Sequence, residues 1–315
     1  MSKNPDPASF TDLKKHAESN FGGNLIETIY KTESERGIER DVIRQQMRQH
    51  FILMKSVRER SLAVENAAEK ERRLLMISGC DSTKINDTSD LLTVGLGEII
   101  RIAQAAAFAT SEANAAGFRI VKAPTAGSVG VIPGAFMAVN ETLGIADADI
   151  VDGLIVAGAI GGVIKRRATF AAAEAGCGAE VGAAVGMAAG GVAWIFSKNA
   201  ETVETAAAMA LQNYLGLECS SLAGAVEIPC AHRCATGAVV ALSCASMACA
   251  GVQFPIRLDE VVDVMYAIGK ALPAAYRETQ GAGLAKTESG IELSSAAYSK
   301  RRHQQQSCNG CNKCA

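Results

Sequence analysis

The sequence is poor in aromatic residues: Phe, Trp and Tyr make up only 5 % of its 315 positions, with a single Trp, and there are only 7 Pro. It also lacks an excess of either charge, since 31 Lys and Arg face 33 Asp and Glu for a formal net charge of −2. Such a balance gives no broad basic face for a phosphate backbone or an anionic bilayer, so neither nucleic acid nor a membrane surface is expected as the main partner. No stretch alternates polar and apolar residues for long, which removes the chief sign of half-buried strands. There is no Rossmann or Walker glycine pattern and no internal repeat. The polar start, Met1-Ser2-Lys3-Asn4-Pro5-Asp6-Pro7, lacks the apolar core of a signal peptide, so export is not indicated.

What the chain does have is small and apolar: 49 % hydrophobic residues and 30 Gly. At roughly 100–200 residues per domain, this length makes two modest domains or one large one with ample core. Ten Cys are too dilute for a disulfide scaffold, so they read as reduced thiols kept for binding or catalysis, which fits a cytoplasmic setting. The segment from Cys234 to Ile256 carries no charge and is long enough to span a bilayer. It is dominated by Ala, Ser, Cys, Gly and Thr, and the mean hydropathy of the chain is only +0.14, so a core helix is the better reading.

Periodicity predicts an all-α fold. Residues 1–75 form a charged amphipathic layer in which Ile43, Met47, Phe51, Met54 and Val57 make one buried stripe. Residues 76–299 form an Ala/Gly-rich helical domain that would hold the site, and residues 300–315 read as a flexible polar tail carrying cysteines. Helices are expected at about 24–36, 40–72, 97–116, 133–145, 149–165, 179–196, 200–215, 235–251 and 258–272. The last opens with Asp259 and Glu260, as the helix dipole favours, and stops at Pro273.

Four groups of residues bear chemistry. Cys177, Cys219 and Cys230 each lie at a helix edge or a Gly- or Pro-marked turn, where thiolates are free to converge on a metal cluster; three core thiols would look the same by spacing. Cys308, Cys311 and Cys314 form a Cys-x-x-Cys-x-x-Cys run able to face one iron-sulfur cluster or one zinc, or to supply a single thiolate to an open iron elsewhere. Thr125, Ala126, Gly127 and Ser128 precede Gly130 and a helix that holds Pro133 in its first turn. That is a loop suited to a carboxylate, although a plain connection has the same composition. Gly79-Cys80-Asp81-Ser82-Thr83, preceded by Ser78, is a polar turn without diagnostic spacing.

Taken together, the stretches Asn114-Ala115-Ala116-Gly117, Pro124 to Gly130, Ala157 to Gly161, Cys177 to Gly182, Leu215 to Cys219, Val226 to Cys230 and Arg277-Glu278-Thr279 resemble the alpha chain of iron-sulfur-dependent L-serine dehydratase. The resemblance implies an Ala/Gly-rich helical catalytic domain and a 4Fe-4S cluster on Cys177, Cys219 and Cys230. Three ligands for four irons leave one iron open to act as a Lewis acid, and Cys314 is the tail thiolate expected to cap it. The implied reaction is dehydration of L-serine to pyruvate and ammonia, in amino-acid degradation and gluconeogenesis. A separate beta chain is expected, because two-chain members draw substrate contacts from one and this sequence leaves no room for that domain; an oligomer is expected as well.

The turn from Thr125 to Ser128 is assigned to the substrate carboxylate, Arg233 is a charged partner to substrate or cluster, and Asn114 is an amide donor. His232 is either the base or a hydrogen-bond donor that orients the metal site. Departures from the family pattern are Cys80, Arg167-Ala168-Thr169-Phe170-Ala171-Ala172, Ser220-Ser221 and Cys234. They leave open a cysteine desulfidase-type or other beta-eliminating lyase on a related amino acid. A third alternative is a non-catalytic iron-sulfur protein built on the tail cysteines.

Overall fold

The N-terminal amphipathic pattern resolves into three helices: α1 (Phe10–Phe21), α2 (Leu25–Glu35) and α3 (Arg40–Leu62). The structure is a computed structural model that describes residues 7–63, 77 and 79–309. The Ser9 side chain caps α1 by accepting from the Asp12 amide, and Asn24 caps α2 in the same way through Ile26 and Glu27. The expected stripe of α3 is buried at Ile43, Phe51, Met54 and Val57, with Met47 packed against the core. The remainder of the expected 40–72 helix, and the boundary at residue 75, lie outside the described residues.

The Ala/Gly-rich part supplies α4 (Asp81–Asn86), α5 (Leu91–Gly95), α6 (Glu98–Ala115), α7 (Val131–Leu143), α8 (Asp147–Arg167) and α9 (Ala172–Cys177). A π-helical turn, Gly178–Gly182, leads into α10 (Ala183–Ser197), followed by α11 (Ala200–Gln212), α12 (Cys230–Cys249), α13 (Leu258–Ala271) and α14 (Glu288–Asn309). Among the described residues there is no strand, only one isolated bridge between Cys219 and Arg277. The fold is all-α, as periodicity predicts.

Helix α10 is the hub, packed against α7, α8, α11 and α12. Small residues make that possible: a Cβ on Gly153 of α8 would stand 2.8 Å from the Gly191 carbonyl, and one on Gly191 would stand 2.6 Å from the Gly153 carbonyl. Ala172–Ser197, the stretch from α9 through α10, is the one described helix long and apolar enough to cross a membrane. In this fold 89 % of its most apolar window is buried inside the protein. The uncharged Cys234–Ile256 segment mostly forms α12, whose buried face includes Cys234, Ala238, Ala241 and Cys244.

One buried cluster runs from Phe10 through Phe51 to Met265, so the N-terminal layer shares its core with the rest. Polar groups tie the two together. The Asp259 carboxylate accepts from the Phe10 amide (2.8 Å), the Thr11 amide (3.0 Å) and the Thr11 hydroxyl (2.6 Å). Asp259 stands in the first turn of α13, as its helix dipole favours, and also closes the N-terminus of α1 from 249 residues away. Lys14 reaches Glu201 and the buried Glu204 at 2.5 and 2.6 Å, pinning α1 to α11.

Two expectations need correction. Helix α12 starts at Cys230 rather than near residue 235, because Pro229 occupies its N-cap and the polar Cys230-Ala231-His232-Arg233 run belongs to its first turn. The stretch read as a flexible tail is helical as far as Asn309, as part of α14. That helix is seated through buried Ala297 and through Ser294, which accepts from the Ala223 amide at 3.1 Å. Cys311 and Cys314 lie outside the described residues.

Candidate active site

Each of Cys177, Cys219 and Cys230 sits where a regular element breaks. Cys177 ends α9 after two non-helical residues, Ala175 and Gly176. Gly176 has φ +71°, and a Cβ there would lie 2.6 Å from the Leu217 carbonyl, so the approach of this turn to the Cys219 loop depends on glycine. Cys219 is held from both sides: its amide donates to the Tyr276 carbonyl (2.8 Å) and its carbonyl accepts from the Glu278 amide (3.1 Å). This explains the Arg277-Glu278-Thr279 motif, which fixes a loop 58 residues upstream of Arg277 by the parallel bridge to Cys219. Cys230 opens α12, and all three thiols are buried.

The thiols meet. Cys177 donates a hydrogen bond to Cys219, which, with burial, pushes Cys177 well above the usual thiol range; the same bond brings Cys219 down against the effect of its own burial. Burial, and then the charges of Cys234, Glu180 and Cys219, push Cys230 up. Arg233, one turn into α12, donates to the Glu218 carbonyl and carboxylate, both at 2.8 Å, and bonds Cys177. Burial works against the Arg233 charge, yet Cys177 and Glu218 hold its pKa above the ordinary value. No three His, Cys, Asp or Glu side chains among the described residues close on a single metal ion.

The turn at residues 125–130 faces the same centre and is fully tied down. Asn114 of α6 donates to the Ala126 carbonyl (3.2 Å), and the Cys234 thiol donates to the Gly127 carbonyl (3.4 Å). The Thr125 and buried Ser128 hydroxyls are 2.9 Å apart. Thr125 also donates to Glu180 at 2.5 Å, and the Gly127 amide bonds the same carboxylate. A Cβ at Gly127 would lie 2.6 Å from Glu180 Oε2, so only glycine admits this contact. The turn expected to hold a substrate carboxylate therefore already holds one belonging to the protein.

Glu180 is a residue of this site that sequence reasoning passed over, although it stands inside a quoted motif. Nothing in its spacing marks it, because the π-helical turn after Cys177 is what rotates it inward. Its charge is felt by Cys177, Cys219, Cys230 and Cys234 alike. Burial raises its pKa, with the Glu278 charge adding to this, while the Thr125 hydroxyl, the Gly127 amide and Arg233 oppose it.

His232 does not join this group. Its side chain is exposed, with the ring edge-on to Phe108 at 5.3 Å, and among the described residues no hydrogen bond links it to Glu180, Arg233 or the cysteines. The structure therefore gathers Asn114, Thr125, Ala126, Gly127, Ser128, Cys177, Cys219, Cys230 and Arg233 around Glu180, and leaves His232 on the surface.

A family model described as serine dehydratase alpha chain matches residues 20–285. The chain belongs to the serine dehydratase alpha chain family. It is 45 % identical over 197 residues to a probable L-serine dehydratase, alpha chain, of Bacillus subtilis, a match covering 62 % of this chain and 66 % of that one. It is 40 % identical over 198 residues to the L-serine dehydratase alpha chain of Peptoniphilus asaccharolyticus, covering 63 % and 68 %. The match to L-serine dehydratase 1 of Escherichia coli, 40 % identical over 181 residues, covers 57 % of this chain but only 40 % of the relative.

Within the serine dehydratase family pattern, the departures of this chain are built into its own contacts. Cys234 ties down Gly127, as above. Ser220 is fully buried, donates to Glu218 (3.1 Å) and accepts from the Leu284 amide (3.1 Å). Arg167 pairs with Asp263 at 2.5 Å, and Phe170 packs against the core. Cys80 takes a left-handed conformation, φ 61°, ahead of α4; Ser78 beside it lies outside the described residues. In α4 the Asp81 and Ser82 amides and the Ser82 hydroxyl all donate to the buried Glu112.

Proposed function

We propose that this chain is the cluster-holding half of an L-serine dehydratase, which converts L-serine to pyruvate and ammonia in the cytoplasm, within amino-acid degradation and gluconeogenesis, together with a beta chain. The observation that carries the reading is the meeting of Cys177 and Cys219 beside Cys230, three buried thiols at element ends, with Arg233 bonded to Cys177. Buried thiols serving only as core filler have no use for a bonded guanidinium or a neighbouring carboxylate.

The donor set fits a 4Fe-4S cluster. In a cluster, separate irons take separate thiolates, so closure of three ligands on one ion is not the requirement. Arg233 favours the thiolate form, and Glu218 Oε2 is buried without a hydrogen-bond partner. Cys177, Cys219 and Cys230 would hold the cluster, which when bound supplies an open iron as Lewis acid to a poor leaving hydroxide.

The remaining tasks fall to this chain and its partner. The turn from Thr125 to Ser128, braced by Asn114, and Arg233 line the site for a small zwitterion. Burial excludes water until the alpha proton and the hydroxide have left as water. The aminoacrylate so produced becomes an imine, and its hydrolysis yields pyruvate and ammonia. His232 lies on the surface of this chain, and that surface would face the beta chain in an oligomer. Cys314 as a cap on the site, displaced by substrate, belongs to the same proposal.

The test is anaerobic reconstitution with the beta chain. Iron and acid-labile sulfide at about four each per alpha chain, with equal release of pyruvate and ammonia from L-serine, is the expected result. Sulfide release from L-cysteine without serine turnover would favour the desulfidase-type alternative. Loss of all iron on removing residues 308–314, with Cys177, Cys219 and Cys230 intact, would favour a non-catalytic cluster on the tail.

A further inference from the structure

Glu180 is a carboxylate with no ion-pair partner. It is 9 % exposed, and among the described residues no Lys or Arg lies within salt-bridge distance of it; Arg233 is bound instead to Glu218. Its bonds are the Thr125 hydroxyl at 2.5 Å and the Gly127 amide. A carboxylate accepts about four hydrogen bonds, so acceptor positions remain. Burial raises the Glu180 pKa, so its ionised form is costly until a cation stands beside it to complete the pair. Glu278 adds a second negative charge to the same side.

The turn is poorly suited to a substrate carboxylate as it stands. The Thr125 hydroxyl and the Gly127 amide already bond Glu180, and a second carboxylate beside it would face like-charge repulsion. The guanidinium of Arg233, paired on one side with Glu218, lies against Cys177. The centre is thus polarised, with a carboxylate on the turn side and a guanidinium on the α12 side.

We propose that Glu180 is the specificity-determining residue for an α-ammonium group: the substrate's ammonium pairs with the Glu180 carboxylate held by Thr125 and Gly127, and its carboxylate points toward Arg233. The site then selects amino acids over the corresponding hydroxy acids and simple carboxylic acids, because only a zwitterion satisfies both poles. This inference rests on the serine-dehydrating reading and gives the turn at 125–128 the opposite task from the one its composition suggests. It presents Glu180 to the ligand, rather than presenting donors to the ligand's carboxylate.

The experiment uses the cluster-loaded two-chain enzyme under anaerobic conditions and two unreactive probes, L-alanine and propionate, which differ by the ammonium group and lack a leaving hydroxide. Calorimetric titration of the wild type should show L-alanine bound at least about tenfold more tightly than propionate, as expected for one buried charge pair. In Glu180→Gln the preference should collapse to within about twofold, and Glu180→Asp, which keeps the charge, should restore most of it. A purely structural role would weaken both probes by the same factor and leave their ratio unchanged, and that result overturns the inference. A wild-type ratio near one overturns it as well, whether or not either variant folds. L-Serine turnover by the wild type is scored separately: turnover with an unchanged ratio in Glu180→Gln removes this inference alone, and absence of turnover removes the functional reading.

Discussion

Helix α3 and the turn that follows Cys177 handle polarity in opposite ways. In α3 the apolar side chains Phe51, Met54 and Val57 go inward, while Lys55 and Arg58 reach outward to Asp147 at 2.7 Å and Glu141 at 2.8 Å. In the turn, Cys177 and Glu180 go inward, and Gly127 brings backbone to within contact of Glu180. The first arrangement contributes stability through area removed from water. The second costs stability, since a buried carboxylate and buried thiols are poorer core than leucine, and what it provides is an electrostatically structured centre.

The comparison is sharpened most by cutting into the first region. Phe51, 1 % exposed, replaced by Ala should cost about 3–5 kcal/mol of unfolding free energy in denaturant titration, while the surviving folded protein keeps its full iron content. A matching fall in iron per folded chain would mean that the two regions are not separable. Next is Cys230→Ser, expected to lower iron loading and serine turnover by at least about 100-fold, because loss of a mere outer partner of a metal ligand already costs 10–100-fold. Its melting temperature without metal should stay within a few degrees of wild type, and a collapse of the apo fold would mark Cys230 as a packing residue. The smallest effect is at Lys55→Ala, whose pair with Asp147 is partly exposed on both sides. It should cost no more than about 1 kcal/mol and leave activity unaltered.

Legibility followed the same division. The stripe of α3 and the small-residue helices α6, α8 and α10 were readable because a 3.6-residue period and composition are local properties. Helix α1 was missed although Ser9 stands three residues before Asp12, a capping signal within reach of inspection. Helix α14 was not expected at all, because it is largely polar and holds little of the apolar spacing used to find helices. At the site, the cysteines, Asn114, Arg233 and the turn at 125–128 were found as motifs. The contact of the turn with Glu180 was not, because Glu180 arrives from another element, and a glycine-rich loop looks equally ready for a ligand's carboxylate or the protein's own. His232 was drawn in by the ordinary pKa range of imidazole and its place beside Cys230, yet on a helix residues two apart point about 200° from each other, and His232 is exposed.

The sequence by itself determined the class of fold, the spacing of its helices and the identity of the three thiols that stand at element ends, since each of these depends on runs of adjacent residues. Only the tertiary structure decided which charges share the centre. Asp259 reaches from the first turn of its own helix to cap α1, Arg277-Glu278-Thr279 clamps Cys219, and a π-helical turn swings Glu180 onto Thr125. The physical reason is range. Periodicity and capping act over a few residues, whereas the pairing of a buried charge depends on whatever the folded chain brings within hydrogen-bond distance, here from 55 to 249 positions away.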